Sequence, residues 1–171
     1  TFRRDPAVTW GFYRDRLHAM RGVQPNPGHF ALAELEQLGI VRAIITQNVD
    51  GLHTAAGSKH VLEMHGSLRV AVCLACRTEV GIQVAIDDFD PEQRRLPSCL
   101  VCPGHPVLKP GVVLFGEPMP PALDEALALL DDCELLVVCG STLQVFPVAA
   151  MPEMVSDKTA CSVREIWLRS R

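Results

Sequence analysis

No apolar stretch of the chain approaches the roughly 20 residues needed to span a bilayer, and no apolar core follows the arginines of Thr1-Phe2-Arg3-Arg4-Asp5-Pro6 to mark a signal peptide. A membrane partner is therefore not expected, and a cytoplasmic location is. Excess positive charge is missing too. Lys and Arg number 16 against 20 Asp and Glu, giving a net charge of -4 and a pI near 5.8, whereas nucleic-acid modules usually carry a basic face. Direct nucleic-acid binding is not expected, and the acidic balance suits a basic peptide better. None of the 12 glycines stands two residues from another, so G-x-G, the start of the dinucleotide-binding fingerprint, is absent. Internal repeats and low-complexity tracts are also lacking. What remains is a globular composition, 171 residues of which 48% are hydrophobic and 21% charged, enough to bury a core in one domain or two small ones.

Cysteine is plentiful. Of the seven, Cys73-x-x-Cys76 and Cys99-x-x-Cys102 form two pairs separated by 22 residues. In a chain without a secretion signal this spacing reads as two knuckles presenting four thiolates to one tetrahedral zinc ion, with disulfides or a redox dithiol as the alternatives. An all-sulfur cage leaves no open position, so the zinc is expected to be structural. Cys133 and Cys139 read as inert core residues, and Cys161 lies in an uninformative tail.

The hydrophobic pattern predicts a helix after Asp5-Pro6, fading at Gly22, with Trp10, Phe12, Tyr13, Leu17 and Met20 on one inward face. A second helix is expected over His29–Leu38, with Phe30, Ala31, Leu35 and Leu38 inward and Gly39 as its stop. Ile40–Ile45 reads as a central parallel strand. A helical turn over His53–Gly57 and a strand over Val61–Met64 follow. Between Arg69 and Pro110 the apolar content looks too thin for an independent core, which a metal would have to supplement. A strand over Gly111–Phe115, a helix over Ala122–Leu130 burying Ala126, Leu127 and Leu130, and a buried strand over Glu134–Cys139 complete the pattern. Residues 151–171 show no regular periodicity, with Trp167 the one strong anchor.

Chemistry collects where strands end. The apolar run before Thr46 gives way to Gln47, Asn48, Asp50 and His53, and Val61–Met64 gives way to His65 and Gly66. In parallel α/β sheets the carboxyl ends of strands form the ligand crevice, so these ends are expected to converge with Gly140-Ser141-Thr142. The last offers hydroxyls and backbone amides suited to a phosphate or ribose. His65 suits a general base, since imidazole titrates near neutrality, or a packing residue; Asn48 and Asp50 suit ligand contact or the capping of the next helix.

In order and spacing, Thr46-Gln47-Asn48-Val49-Asp50-Gly51-Leu52-His53, Leu62-Glu63-Met64-His65-Gly66, the two cysteine pairs, Lys109–Glu117 and Gly140–Pro147 closely resemble the sirtuin series over residues 1–150. The resemblance implies an α/β fold: an incomplete Rossmann-like parallel sheet with an inserted zinc-binding module and a small helical segment. It implies an NAD-dependent protein-lysine deacylase that releases nicotinamide and O-acyl-ADP-ribose, acting on acyl-lysine peptides or proteins. By the same resemblance, His65 is the general base that acts on the nicotinamide ribose. Asn48 and Asp50 line the nicotinamide pocket, and Gln47 touches ribose. Gly140, Ser141 and Thr142 match a cofactor-binding Gly-Thr-Ser with its hydroxyl residues exchanged. Val113 and Phe115 are walls of the acyl-lysine tunnel, and Gly116, Glu117 and Val145 flank an added substrate strand. Tyr13-x-x-Arg16 resembles the pair that marks family members accepting succinyl or malonyl lysine, where a phenol and a guanidinium receive a carboxylate. The alternative is that Tyr13 packs and Arg16 is solvated.

The implied organisation is a helical segment of the small domain over 1–38, a partial NAD-binding domain over 39–68 and 110–150, the zinc-binding module over 69–109 and a divergent tail over 151–171. Against the family pattern, the opening strand with its glycine-rich phosphate loop and the closing strands are missing. The chain is thus expected to be an internal fragment or an aberrant gene product, with severely lowered NAD affinity. The alternative function is a catalytically inactive, zinc-stabilised module that binds acylated peptide or a partner protein without turnover.

Overall fold

The computed structural model describes residues 2–156 and 162–166. They gather into two compact units, Thr1–Pro120 and Pro121–Arg171.

In the first unit α1 (Pro6–Ala19) starts where the Asp5 carboxylate accepts the Val8 amide at 3.2 Å, with Pro6 filling the first turn without needing a donor. Trp10 is completely buried, and its indole N–H donates to the Leu108 carbonyl at 2.8 Å. Leu17 packs on the same cluster. Phe12, expected beside them, is 60% exposed, because two residues along a helix turn the side chain about 200° away.

Asn26 and His29 form a reciprocal capping box that starts α2 (Pro27–Gln37) two residues before the expected point. Its inward face is not the expected one. Phe30 and Leu38 are exposed, Ala31 likewise, and Ala33 is buried. The rotation is set by Glu36, whose carboxylate accepts the backbone amides of Lys59 at 2.9 Å and His60 at 2.6 Å. Charge-assisted bonds of this kind contribute about 1.5–3 kcal/mol each, so the two together outweigh the burial of one large apolar side chain, itself worth about 1.5–3 kcal/mol. Gly39, at a φ of 73°, turns the chain so that the amides of Ile40 and Val41 bond back to Leu35. The first half of the expected strand is therefore the helix's C-terminal cap, and Ile40 is exposed.

The strand proper is β1 (Ile44–Thr46), which pairs in parallel with β2 (Val61–Glu63), Ile44 opposite Val61 and Thr46 opposite Glu63. The short helix α3 (Leu52–Ala55) lies between them in sequence. Then β3 (Gly66–Cys73) turns away and pairs antiparallel with β4 (Glu79–Gly81) and with β5 (Leu108–Val112), while α4 (Ile82–Asp88) packs against β3. The strand expected at Gly111–Phe115 thus starts three residues earlier and belongs to this antiparallel sheet. Lys109 and Pro110 are buried in it, which conceals the strand from a reading based on apolar runs. The core of this region is thicker than expected, because Phe2 and Trp10 join Ala71, Ala85, Ile86, Phe89 and Leu108 around Cys73 and Cys99.

Those cysteines and their partners make a four-sulfur cage. Cys73 Sγ lies 3.8 Å from Cys102 Sγ, Cys76 Sγ lies 3.7 Å from Cys99 Sγ, and all four are within 4.8 Å of one another. Bonds of about 2.3 Å from one tetrahedral zinc would place sulfurs roughly 3.8 Å apart; a disulfide would place them at about 2.05 Å. The donor set fits zinc. Charge explains why a cation belongs there: the Thr78 hydroxyl and neighbouring thiols pull the Cys76 thiol down to about 6, while sharing a proton with Cys76 pushes the Cys102 thiol up to about 12. Four thiolates do not coexist at this distance unless a cation compensates them.

In the second unit α5 (Ala122–Asp131) buries Ala126 and Leu130, with Leu127 half-buried. β6 (Leu135–Cys139) follows, then a 3-10 turn at Val148–Ala150 and α6 (Met151–Ser156). β6 is not buried on both faces as expected: Leu135 is 54% exposed and Val137 44%, and Cys139 is exposed. The tail is more regular than its sequence suggests. Beyond α6, β7 (Ser162–Ile166) pairs in parallel with β6, from Leu135 opposite Ser162 to Cys139 opposite Ile166. Cys161 and Trp167 lie outside the described residues.

Metal removal tests the cage. A bound zinc stabilises such folds by about 10–16 kcal/mol, as much as the whole stability of an ordinary domain. A strong chelator is therefore expected to release one zinc per chain and to unfold the core around Trp10, seen as a red shift of its fluorescence. A purified chain that holds no metal and keeps its thermal midpoint under chelator contradicts the assignment.

Acid sensitivity is expected where α2 meets α3. The His29 and His53 rings lie 4.6 Å apart, and the buried His53 Nδ1 has no hydrogen-bond partner. Burial, then the His29 charge, lowers the His53 pKa, with Asp50 opposing. The unfolded chain therefore takes up this proton first, and the stability present above about 6.5, the unfolded value, is lost as pH falls through the lower folded value. Urea midpoints measured between pH 7.5 and 5 should fall, and His53→Gln should flatten that fall. An unchanged slope in the variant would rule out His53 as its source.

Candidate functional site

Because β1 and β2 run parallel, both carboxyl ends reach the same edge of the first unit. The loops beyond them are stitched together. Met64 donates its amide to the Thr46 carbonyl at 2.9 Å, and Leu68 donates to Val49 at 2.9 Å. The Thr46 hydroxyl, buried at the strand end, accepts the Asn48 amide at 3.1 Å. Asp50 accepts the Leu52 amide at 2.9 Å in a turn just before α3, whose N-cap is Gly51 with no side-chain cap, so neither Asn48 nor Asp50 is the helix cap that the sequence offered as an alternative. The same carboxylate still borders the cleft described below. Gly51, at a φ of 73°, passes beneath Arg69, whose guanidinium is held by Ser67 and Glu63 at 2.8 Å each.

His65 stands at the centre of this lattice. Its Nδ1 lies 3.1 Å from the Gln47 carbonyl oxygen. A carbonyl can only accept, so Nδ1 carries the proton and the lone pair of the neutral ring is on Nε2. On the other side the His65 carbonyl accepts the Val113 amide at 2.9 Å. Gly66 is required immediately after it: at a φ of 72°, a Cβ here would strike the Gly111 carbonyl. Gly111 is equally confined, its virtual Cβ meeting Val70 and the Ser67 carbonyl at 2.8 and 2.9 Å.

A cleft of about 230 Å³ opens beside these loops, lined by Gln47, Asn48, Val49, Asp50 and Leu52 from one side and by Arg16, Met20 and Val23 from the α1 side. Amide, carboxylate and guanidinium groups thus share one cavity with apolar walls, the composition of a small-molecule site. Gln47, Asn48 and Asp50, expected at the cofactor, and Arg16, expected at the acyl chain, line this one cleft, whereas Met20, Val23, Val49 and Leu52 were not among the expected site residues; Met20 and Val23 lie just past the end of α1 at Ala19. Tyr13, one turn before Arg16, is half-buried. Burial raises its phenol pKa, with the Arg16 charge opposing and Glu117 adding to the rise, so those charges face the same phenol.

The loop after β5 carries the other expected residues. Val113 is half-buried and Phe115 is 91% exposed. Gly116 has a φ of 84°, and Glu117 folds back to accept the Leu114 amide at 2.9 Å. In the second unit Gly140, at a φ of 62°, ends β6; Ser141 accepts the Leu143 amide at 3.2 Å, and Thr142 is exposed. Val145 is half-buried beyond them. Among the described residues no helix is long and apolar enough to cross a membrane.

The chain is similar to known proteins along most of its length. It is 42% identical over 159 residues to an NAD-dependent protein deacylase of Thermococcus sibiricus and 44% identical over 155 residues to NAD-dependent protein deacylase 2 of Archaeoglobus fulgidus, covering 91% and 88% of this chain and 61% and 58% of those proteins. It therefore spans about three fifths of the length of these curated relatives. A solved Sir2–p53 peptide–NAD+ complex superposes with a TM-score of 0.87 at 33% identity, over 99% of this chain and 69% of that one. Sir2Tm bound to a propionylated peptide gives 0.88 at 33% identity, over 99% and 70%. These likenesses give the chain the Rossmann-like α/β fold of those structures. The Sir2 family model matches residues 1–147, and with parallel strand ends around His65 and a four-cysteine cage in the expected order, the chain belongs to the Sir2 family.

Proposed function

We propose that this chain carries the acyl-lysine side and the nicotinamide side of a cytoplasmic NAD-dependent protein-lysine deacylase, with His65 as general base. The observation that carries the reading is the 3.1 Å contact from His65 Nδ1 to the Gln47 carbonyl. It fixes the tautomer and leaves Nε2 basic, beside a cleft lined by Gln47, Asn48 and Asp50. NAD, when bound, supplies an electrophilic ribose carbon with nicotinamide as its leaving group. Asn48 and Asp50 have the amide and carboxylate chemistry to pair with a carboxamide, and Gln47 to meet a ribose hydroxyl. His65 takes a proton from a hydroxyl as that hydroxyl becomes nucleophilic. Gly140, Ser141 and Thr142 are assigned to cofactor contact by their motif, and a left-handed Gly140 lets backbone approach a ligand closely.

Val113 and the exposed Phe115 serve as tunnel walls, and Gly116, Glu117 and Val145 flank an acyl-lysine peptide added as an extended strand. Tyr13 and Arg16 extend the reading to succinyl and malonyl lysine. Arg16 reaches the cleft, and a guanidinium with a phenol is the donor set for a terminal carboxylate. The four-cysteine cage holds structural zinc. We keep the division into a helical segment over 1–38, a NAD-binding part over 39–68 and 110–150 and a zinc module over 69–109 as the working scheme for these roles.

The test is turnover of acetylated and succinylated peptides by the intact protein, read as nicotinamide release. His65→Ala is expected to lower turnover of both by roughly 10²–10⁴-fold while leaving zinc content unchanged. Arg16→Met is expected to reduce desuccinylation at least about tenfold, the scale of one charge-assisted contact, while deacetylation holds within about twofold. A wild-type protein that binds acylated peptide without releasing nicotinamide establishes the inactive binding module instead. An unchanged succinyl-to-acetyl ratio in Arg16→Met removes the carboxylate pocket.

A further inference from the structure

Lys109 is the one charged residue among the buried residues described, 6% exposed within β5, and nothing in the proposed chemistry uses it. Its ammonium is 2.8 Å from the Glu117 carboxylate and also donates to the carbonyls of Val112 and Pro110. Glu117 in turn accepts the Leu114 amide at 2.9 Å, and its own amide donates to the Leu114 carbonyl at 2.9 Å. One ammonium therefore closes the turn at both ends: it grips the carbonyl where β5 stops and the carboxylate where the loop finishes. Between these points lie Val113, whose amide is already given to His65, and Phe115, almost wholly exposed. Leu114 packs inward on the core cluster, and the ion pair together with the two Glu117–Leu114 hydrogen bonds holds the rest of the turn that projects Phe115. Removing Glu117 leaves the Lys109 ammonium buried and uncompensated, and removing Lys109 frees a carboxylate that is 34% exposed to turn to solvent and release the loop.

We propose that Lys109 is a positioning residue for substrate: through Glu117 it holds the Val112–Glu117 turn in the form to which an acyl-lysine peptide adds. The inference rests on the peptide-binding reading of that turn. Lys109 touches neither reacting atoms nor cofactor, so its loss should weaken peptide capture more than chemistry. The Glu117 charge also faces Tyr13, whose phenol it perturbs, and compensation by Lys109 keeps that carboxylate from opposing an acidic acyl chain.

The experiment compares wild type, Lys109→Met and Lys109→Arg in the intact protein, with acetylated peptide at saturating NAD and with hydrogen exchange of the 112–117 amides. Methionine keeps the buried volume and removes the charge; arginine restores a cation. The expected result for Lys109→Met is a KM raised about tenfold, the scale of one lost charge-assisted bond. Its kcat stays within about threefold, and the Leu114 and Glu117 amides exchange faster. Lys109→Arg should recover most of both. Equal loss of kcat with KM unchanged, unaltered exchange, or an arginine variant no better than methionine would overturn the proposal. If Lys109→Met does not fold, Glu117→Gln carries the same comparison, since it keeps an acceptor for Leu114 but loses the charge. If the wild type releases no nicotinamide, the deacylase reading fails. Exchange, and peptide affinity measured by fluorescence anisotropy, then decide on Lys109 by the same criteria.

Discussion

The crossing of Gly66 against Gly111 fixes nearly everything around the candidate site. At this point β3 leaves the neighbourhood of the parallel pair and meets β5 so closely that neither residue can carry a Cβ: at Gly66 the obstacle is the Gly111 carbonyl, at Gly111 it is Val70 and the Ser67 carbonyl. The closeness puts His65 between two backbones, with its ring nitrogen on the Gln47 carbonyl and its own carbonyl on the Val113 amide. A side chain on Gly66 would push β5 outward and undo both contacts together. The imidazole is thus oriented mainly by backbone, and backbone positions are set by strand pairing, which is stiffer than a chain of surface side chains.

The antiparallel sheet bearing β5 cannot be a passive insertion. Its core is completed by Trp10 from α1, held by the 2.8 Å bond to Leu108, and closed at its far end by the cysteine cage. Metal, indole and strand therefore share one cooperative body, and α1 is anchored to it at one turn while presenting Arg16 to the cleft a turn and a half later. Loosening the cage would move the helix that supplies the cleft's one guanidinium, so a zinc ion held there would act on the site through packing. A fully four-coordinate ion has no position to offer a substrate.

Much of this was legible in residue order, and the failures have physical causes. The polar residues after Ile45 and after Met64 announced the shared edge because parallel strands deliver their ends together, and the two C-x-x-C pairs announced the cage because knuckle geometry fixes ligand spacing. The strand boundaries were misread where hydrogen bonding overrode hydrophobicity: Ile40 and Val41 look like strand but cap α2, whereas Lys109 and Pro110 look like loop but are buried in β5. The inward face of α2 was misjudged because a carboxylate, Glu36, decides it. Lys109 was read only as the start of a motif, and its burial gave no signal, since a lysine beside a proline is ordinarily solvated.

Charge around Tyr13 follows in part from the same hidden lysine. Arg16, Glu117 and Lys109 are the charges that bear on Tyr13, directly or through Glu117. With the lysine counted, the local sum is one positive charge; without it, Arg16 and Glu117 cancel. The cleft itself is lined by one cation, Arg16, and one carboxylate, Asp50, with Met20, Val23 and Leu52 as apolar walls, so its own charges balance and the Lys109–Glu117 pair adds none. The pair joins a buried ammonium to a carboxylate that is 34% exposed, so salt screens it less than a surface pair and more than a fully buried one.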